Sequence, residues 1–410
     1  MQPLASPFER GCLAIQDTWR RDLSKAHDLR PLSTLIHAMA TLREKTALLR
    51  GLLASEIAHV GPFYVTVDVT RRCNLRCPGC RYHSSVVNMP SPGDKGILDT
   101  SLDMLEDMCD ELRTMGTQSM ILIGEGEPFL HPRLFDLIHA AKRIGLHVTL
   151  LTNGTMLDEA RVKALIDSHL DTLKVSCWAS SSDEYQRNYP GADPDNFQKI
   201  IAGLQRLAHT KAKYRTRLPR IVLHQPINAN NFQSVEAMAD LAYTTGCNML
   251  SFSPFKTRRG KLASLSLSPD QEELLRLTLC RMKRKLASLS ITHNIDQTLL
   301  RYKIGEAVWE KLPCYIGWLH ARVKVDGTVL SCNPCDLPMG NLREKSFRAI
   351  WNDHPYKDFR KKTRTRRGLI AMGGHCDCGF CCHVEDNARI YRIFRWVPPG
   401  FGGGSIRKAS

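Results

Sequence analysis

Between residues 64 and 255, short apolar runs alternate with longer segments that carry apolar residues at helical spacing. Strands are predicted at 64–69, 119–123, 147–151, 172–177, 221–225 and 248–253. Helices are predicted between them at 102–115, 132–144, 158–168, 196–208 and 231–245. This alternation predicts parallel β/α units with right-handed crossovers. Six units are too few for an eight-fold barrel, so we expect an open or partial (β/α)6 barrel over residues 61–256.

The segments on either side of this pattern have a different character. Residues 1–60 have apolar positions at helical spacing and show no chemistry, and 257–312 form a helical linker region with a predicted helix at 268–286. Residues 313–395 are rich in cysteine and contain a hairpin signal, because Asp326-Gly327 separates two alternating runs. We expect a small α+β domain there. The glycine-rich tail, 396–410, is flexible by composition.

The composition is that of a globular chain. Hydrophobic residues make up 43%, and there are 27 Gly and 21 Pro in 410 residues, which excludes collagen-like and disordered classes. No apolar run approaches the length of a transmembrane helix. Glu9, Arg10 and Arg20 interrupt the region where a signal peptide would be apolar. We therefore expect a cytoplasmic protein without a membrane span.

The chain is basic, with 57 Lys and Arg against 41 Asp and Glu and a net charge of +16. The charge is concentrated in three runs, at 206–220, 281–285 and 360–367. A nucleic acid, a membrane surface or an acidic peptide could be the partner. Without interleaved aromatic residues or a known nucleic-acid module, the runs are interpreted as solvated surface.

Cysteine is the unusual residue, with 15 copies. Five are scattered and suit small buried positions: Cys12, Cys109, Cys177, Cys247 and Cys280. The others form two separated groups, at 73–80 and at 314–382. Because a cytosolic chain keeps its thiols reduced, these groups indicate metal binding rather than disulfides.

The first group is Cys73-Asn-Leu-Arg-Cys77-Pro-Gly-Cys80, directly after the first predicted strand. Ligands bind at this end of strands in parallel α/β sheets. Three thiolates are one short of a complete four-cysteine iron–sulfur site. Two interpretations follow: a zinc site completed by His83, or an iron–sulfur cluster with one iron open to a substrate or cofactor.

This C-x3-C-x2-C spacing resembles the signature of the radical S-adenosylmethionine (SAM) superfamily. Gly126 and Glu127 end the second strand, where the family has a Gly-Gly-Glu-Pro motif for the SAM amino group. Asn153 ends the third strand, Ser176 ends the fourth at the family's ribose position, and Arg187 matches a downstream arginine more loosely. The resemblance covers residues 62–255.

The chain departs from the family pattern at three positions. Glu125 replaces the first glycine of the motif, Trp178 stands where an Asp often follows the ribose-contacting Ser, and Gly79 replaces an aromatic residue before the third cysteine. Two matched residues also have structural interpretations. Glu127 precedes Pro128 and could be an acid at a helix N-terminus, and Asn-Gly at Asn153 is also a common turn.

The resemblance implies a [4Fe–4S] cluster on Cys73, Cys77 and Cys80, whose fourth iron binds the amino and carboxylate groups of SAM. It further implies an electron donor such as flavodoxin or ferredoxin. Reduction then cleaves SAM to methionine and a 5′-deoxyadenosyl radical, which abstracts a hydrogen atom from the substrate. Such a cofactor carries the difficult chemistry while the protein orients it and excludes water.

The second cysteine group resembles the SPASM and twitch extensions of this superfamily. Twelve residues separate Cys314 from Gly327, four more precede Cys332, and the segments 340–342 and 349–351 also look like that extension. The resemblance implies an auxiliary [4Fe–4S] cluster, which we assign to Cys314, Cys332, Cys378 and Cys381. Cys376 and Cys382 are near-equal alternatives, and Cys335 is a ligand or a spare thiol. Seven thiols are one short of two clusters, so one is expected; a four-cysteine zinc site is the other interpretation.

Two functional hypotheses result. The first is a radical SAM oxidoreductase with an auxiliary cluster for electron transfer, which modifies a ribosomal peptide or a small sugar-like or aminocyclitol-like molecule. The second is a zinc-stabilised basic protein that binds nucleic acid, suggested by the net charge of +16.

Overall fold

The computed structural model describes residues 42–54, 56–87, 96–257, 260–372 and 375–394. Most of the expected N-terminal helical segment and the expected tail lie outside these residues. The ten strands of the described chain are β1 Tyr64–Asp68, β2 Ser119–Ile123, β3 His147–Thr152, β4 Thr172–Ser176, β5 Arg220–Ile227, β6 Met249–Pro254, β7 Thr292–His293, β8 His320–Val323, β9 Thr328–Leu330 and β10 Pro338–Asn341. They form one sheet in the order β10-β9-β8-β1-β2-β3-β4-β5-β6-β7.

The α-helices of the described chain lie before, between and after these strands. They are α1 Leu42–Ala54, α2 Leu102–Met115, α3 Leu134–Arg143, α4 Glu159–Asp167, α5 Ser182–Asn188, α6 Asn196–Lys213, α7 Val235–Thr244, α8 Pro269–Ser288, α9 Ile295–Ile304, α10 Val308–Lys311, α11 Phe347–Trp351, α12 His354–Thr363, α13 Arg366–Ala371 and α14 Val384–Phe394. None of them is long and apolar enough to cross a membrane.

The six predicted strands are confirmed, and β1 to β6 are parallel neighbours in chain order. Their side chains alternate between two environments, as the pleat requires. In β4, Leu173 and Val175 are buried against the helices, while Thr172, Lys174 and Ser176 lie on the opposite face. Ligand-facing side chains therefore come from every second residue of these strands.

The predicted helices are also confirmed, with shifts of a few residues at their ends. Helix α2 begins after Ser101, whose hydroxyl accepts from the Met104 backbone N–H at 3.4 Å, and it ends at Gly116 in the left-handed region. Leu105 and Leu112 on its inner face are fully buried. Packing of such faces on the sheet fixes the strand ends that carry the site.

The parallel sheet continues beyond the six predicted strands. Thr292–His293 pairs in parallel with β6, so the alternation does not stop at Phe255 as the sequence pattern suggested. This strand is only two residues long, too short to show a period. Helices α8 and α9 flank it and extend the barrel wall.

The hairpin predicted around Asp326-Gly327 is confirmed, and Gly327 has a φ of 85° at its turn. Its first strand also pairs in parallel with β1, so that Tyr64 lies opposite His320. We expected this hairpin to belong to a separate cysteine-rich domain. Through this pairing the hairpin extends the barrel sheet at the edge of β1, so the cysteine-rich segment is joined to the barrel by backbone hydrogen bonds.

The interpretation of the basic runs as solvated surface is wrong for Arg360. This side chain is 0% exposed and donates to the carbonyls of Gly317 and Trp351 at 2.9 and 2.8 Å and to Asn352 Oδ1 at 2.9 Å. Its guanidinium lies 4.7 Å from the centre of the Trp351 ring. Arg367 in the same run is exposed, as expected.

Candidate active site

One cavity of about 500 Å³ lies at the carboxyl ends of the barrel strands. Cys73, Cys77 and Cys80 line it from the loop that follows β1. Gly126, Glu127, Asn153 and Ser176 line it from the ends of β2, β3 and β4. The structure therefore brings together seven of the eight residues that the sequence assigned to the first cluster and SAM. Arg187 is the exception, since its side chain is exposed on α5 and does not line the cavity.

Backbone hydrogen bonds fix the cysteine loop against the end of β2. The Gly126 N–H donates to the Thr70 carbonyl at 2.9 Å, and the Glu127 N–H donates to the Arg72 carbonyl at 2.7 Å. A Cβ atom on Gly126 would lie 2.0 Å from that same Arg72 oxygen. Only glycine permits this approach, so Gly126 sets the distance between the cysteines and Glu127.

Glu127 is a buried carboxylate, with 2% of its surface exposed. It accepts hydrogen bonds from Thr152 Oγ1 at 2.7 Å, from the Asn153 N–H at 2.7 Å and from the Phe129 N–H at 3.2 Å. Burial raises the pKa of this carboxyl above its ordinary value, and the hydrogen bonds offset part of that effect. No cation of the described chain forms an ion pair with it. A ligand ammonium would supply the missing charge.

Glu125, which departs from the family motif, has a clear structural role. Its carboxylate contacts Arg71 Nε at 2.6 Å and Lys324 Nζ at 3.1 Å. Arg71 lies just before the cysteine loop, and Lys324 follows β8. The substitution therefore ties the loop to the hairpin through buried charges.

Asn153 and Ser176 make further contacts at the cavity wall. The Asn153 side-chain amide donates to Asn74 Oδ1 at 2.8 Å, which holds the cysteine loop from the other side. Trp178 Nε1 donates to Ser176 Oγ at 3.3 Å. The indole that replaces the usual acidic residue therefore orients the hydroxyl at this position.

Amide groups of the loop point at two of the three sulfur atoms. The Leu75 N–H donates to Cys73 Sγ at 3.5 Å, and the Tyr82 and His83 N–H groups each donate to Cys80 Sγ at 3.3 Å. Burial raises the pKa of Cys73 to about 11 and that of Cys77 further. Metal binding must therefore displace protons from these thiols.

The second cysteine group surrounds a smaller cavity of about 30 Å³. All four residues assigned to the auxiliary cluster line it: Cys314, Cys332, Cys378 and Cys381. Burial raises the pKa of Cys314 and of Cys378 to about 12. Asn387 Nδ2 lies 3.9 Å from Cys314 Sγ, and the His383 N–H donates to Cys381 Sγ at 3.4 Å.

The remaining cysteines of this group divide into two kinds. Cys335 and Cys376 also line the small cavity, where a disulfide joins them to each other. The expectation of metal binding rather than disulfides is therefore wrong for this pair, and with it the alternative of Cys376 as a cluster ligand. Cys382 is a free thiol that is exposed to the large cavity instead. The cysteine-rich segment therefore contacts both cavities. Its neighbouring residues Cys381 and Cys382 line different ones, the small cavity and the large cavity.

These donor sets fit iron–sulfur clusters. Thiolates are the ligands of such clusters, and backbone N–H groups directed at sulfur are the contacts that tune them. A single metal ion is a different case: in the described part of the chain, no group of three or more His, Cys, Asp or Glu side chains is arranged to bind one. The cysteines line the two cavities instead.

Comparison with known protein families gives two matches. The model of the radical SAM superfamily matches residues 67–218. The model of the SPASM iron–sulfur cluster-binding domain matches residues 314–388. The second match assigns iron–sulfur rather than zinc to the C-terminal cysteines, which removes the basis of the zinc-stabilised alternative.

Known relatives and solved structures resemble most of the chain. AdoMet-dependent heme synthase of Methanosarcina barkeri is 25% identical over 345 residues, which are 80% of this chain and 92% of that protein. PqqA peptide cyclase of Ruegeria pomeroyi is 26% identical over 313 residues, 73% of this chain and 76% of the cyclase. The structure of Streptococcus suis SuiB bound to S-adenosylmethionine has a TM-score of 0.60 at 16% identity, covering 98% of this chain and 88% of SuiB. The likeness to SuiB shows a shared fold.

Proposed function

Because this chain is a radical SAM enzyme with a SPASM iron–sulfur domain, we propose that it cleaves SAM reductively and abstracts a hydrogen atom from a substrate held in the large cavity. One observation carries this proposal. The same cavity is lined by Cys73, Cys77, Cys80 and Glu127 and, on the C-terminal segment, by Cys382, the neighbour of an auxiliary cysteine. A substrate there would contact both parts of the enzyme.

The three cysteines of the first loop would hold the SAM-binding [4Fe–4S] cluster. When bound, that cluster supplies the electron that cleaves SAM to methionine and a 5′-deoxyadenosyl radical. Glu127 accepts the SAM ammonium, because it is a buried anion without an ion-pair partner in the described chain. Ser176, oriented by Trp178, contacts the ribose. Arg187 has no part in this arrangement, because its side chain does not line the cavity.

Cys314, Cys332, Cys378 and Cys381 would hold one auxiliary [4Fe–4S] cluster. With all four irons on cysteine, it has no open position for substrate and serves in electron transfer. The disulfide between Cys335 and Cys376 supports this ligand set, since it leaves five free thiols in the segment. Cys382 faces the other cavity and is left out.

For the substrate, we propose a peptide, the class named in PqqA peptide cyclase and in the structure of SuiB bound to precursor peptide SuiA. A small anionic molecule is the second candidate. It is favoured by cations at the large cavity that form no ion pair with a carboxylate of the described chain, Lys256 and Arg301. A flavodoxin or ferredoxin would donate the electrons, and the cytoplasm is the compartment we propose.

The test is reductive SAM cleavage by the full-length protein after anaerobic reconstitution with iron and sulfide. We expect 5′-deoxyadenosine and methionine to form on addition of dithionite even without substrate. A protein that holds its clusters, binds SAM and yet forms neither product would contradict the proposal. Incubation with candidate peptides that carry deuterium on carbon, followed by mass spectrometry of the 5′-deoxyadenosine formed, then reports which substrate donates hydrogen, because the radical carries the deuterium into that product.

A further inference from the structure

Three cations lie at or beside the large cavity and are not among the residues assigned to SAM. Lys256, just after β6, and Arg301 on α9 line the cavity. Lys174 lies on β4 two residues before Ser176, so the alternation of the strand places both on the same face of the sheet. Ser176 lines the cavity. Lys174 therefore lies on the cavity side of the sheet, two residues farther from the end of the strand.

None of these cations forms an ion pair with a carboxylate of the described chain. Lys256 Nζ donates to the Asp377 carbonyl at 2.8 Å, and Arg301 donates to the Phe380 carbonyl from Nε at 3.1 Å and Nη2 at 2.8 Å. The Lys174 side chain has no hydrogen bond or ion pair in the described chain. Two other cations that line this cavity do have carboxylate partners: Arg322 forms an ion pair with Asp68, and Arg81 forms one with Asp336.

The strand wall beside Lys174 is polar and carries no carboxylate. The anion-forming group that faces the three cations is Cys382, whose pKa burial raises but His383, Lys256 and Arg301 together lower to about 6. His224 of β5 bonds through Nδ1 to Ser251 Oγ at 3.1 Å and through Nε2 to Ser253 Oγ at 3.3 Å. Burial and the nearby Lys174 and Arg301 hold the pKa of His224 well below its ordinary value. Burial, with Arg301 adding repulsion, lowers the pKa of Lys174 to about 8.

A cation without a partner in a desolvated site is costly, and proteins keep such groups where a ligand completes the pair. Arg and Lys are the residues that bind carboxylate and phosphate groups. Two anions other than a substrate could fill this role: the carboxylate of SAM and the thiolate of Cys382. The experiment below separates both from a substrate.

We propose that Lys174, Lys256 and Arg301 form a binding site for an oxyanion group, a carboxylate or a phosphate, carried by the substrate. This inference rests on the proposed function and adds the substrate's chemical class to it. It also gives the substrate a direction, with its anionic group against these cations and its reacting carbon toward SAM.

Binding is measured by calorimetry on the full-length, reconstituted protein saturated with SAM, with glutarate and inorganic phosphate as separate probes. We expect one of them to bind and its affinity to fall about tenfold, about 1.4 kcal/mol, in Lys174→Met. Lys174→Arg keeps the charge and is expected to bind close to wild type. Lys199→Met, at an exposed ion pair with Asp193 outside the cavity, is the matched control.

Each other result has a defined meaning. Tighter glutarate binding assigns a carboxylate, and tighter phosphate binding assigns a phosphate. Probe binding that SAM abolishes would give the cations to the SAM carboxylate and overturn the proposal. So would the absence of binding to both probes, equal binding by Lys174→Met and wild type, or probe binding that appears only in Cys382→Ser. SAM cleavage without substrate should be unchanged in the control Lys199→Met. Absence of that cleavage in the wild type would count against the proposed function and not against the oxyanion site.

Discussion

Arg322 on β8 donates to both carboxylate oxygens of Asp68 on the adjacent strand β1, each at 2.8 Å. Both side chains are buried, and the same guanidinium reaches the Asn333 carbonyl at 2.9 Å and the Tyr82 hydroxyl at 3.0 Å. Tyr82 follows the third cysteine of the first loop. One ion pair therefore joins the barrel, the hairpin and the cysteine loop.

Asp68→Asn should destabilise the protein by about 3 kcal/mol or more, because it leaves the buried Arg322 charge uncompensated. Asp167→Asn, which breaks an exposed pair with Lys163, should cost less than about 1 kcal/mol. Urea unfolding of the two variants gives the comparison. Equal losses would show that the buried pair does not support the fold.

Replacing Cys73, Cys77 and Cys80 together by Ala should abolish reductive SAM cleavage, because no ligands remain for the SAM-binding cluster. Cys247→Ala removes a buried thiol outside both cavities and should retain cleavage. The measurement is 5′-deoxyadenosine formed after reduction by dithionite. Undiminished cleavage in the triple variant would refute the assignment of these ligands.

Iron analysis of the reconstituted protein should give about eight irons per chain, four in each of two clusters. Cys335→Ser should keep that number, whereas Cys378→Ser should lower it toward about four, since only Cys378 is assigned as a ligand. The triple variant of the first loop should also retain about four irons. Mössbauer spectra identify the cluster type, and eight irons remaining in the triple variant would mean a second auxiliary cluster.

Glu127→Gln should raise the stability of the SAM-free protein and remove SAM binding. Burial raises the pKa of Glu127, so the native protein binds more protons than the unfolded chain at pH values just above the ordinary carboxyl pKa. Stability therefore falls as pH rises through that window, while the affinity for the SAM ammonium rises. Melting temperatures measured across pH with and without SAM test both signs. If Glu127→Gln kept the wild-type pH dependence of the melting temperature, Glu127 would not be the group that causes it.

Arg360→Met should destabilise the fold by about 2 kcal/mol or more, because four hydrogen bonds and the contact with the Trp351 ring are lost. Arg367→Ala, at an exposed position of the same basic run, should change stability by less than about 0.5 kcal/mol. Denaturant titration distinguishes them. Similar small effects would restore the interpretation of the whole run as surface.

The barrel and its cavity could be predicted from the sequence because both depend on local patterns. Alternation located β1 to β6, and the cysteine spacing located the loop, since a strand end fixes where the following residues lie. Glu127 was found from its motif. The same reasoning could not place Arg187, whose match was not tied to a strand end.

Contacts between distant segments could not be predicted from the sequence. Nothing in the residues around Arg322 indicates that their strand pairs with β1, about 250 residues earlier. The burial of Arg360 depends on aromatic rings and carbonyls supplied by other segments. The position of Lys174 on the same face of its strand as Ser176 follows from their two-residue spacing alone.

The attachment of the hairpin to β1 also decides which strands lie at the edges of the barrel sheet. A half-barrel that ended at β1 would offer the unpaired backbone of Tyr64–Asp68 to another molecule, and its apolar sequence would favour such strand addition. The hairpin covers this edge, and the outermost strands become β10, which begins with a proline, and β7, which has two residues. Both are poor templates for aggregation. A shortened chain that stops before β8 would therefore lose solubility as well as its second cysteine group.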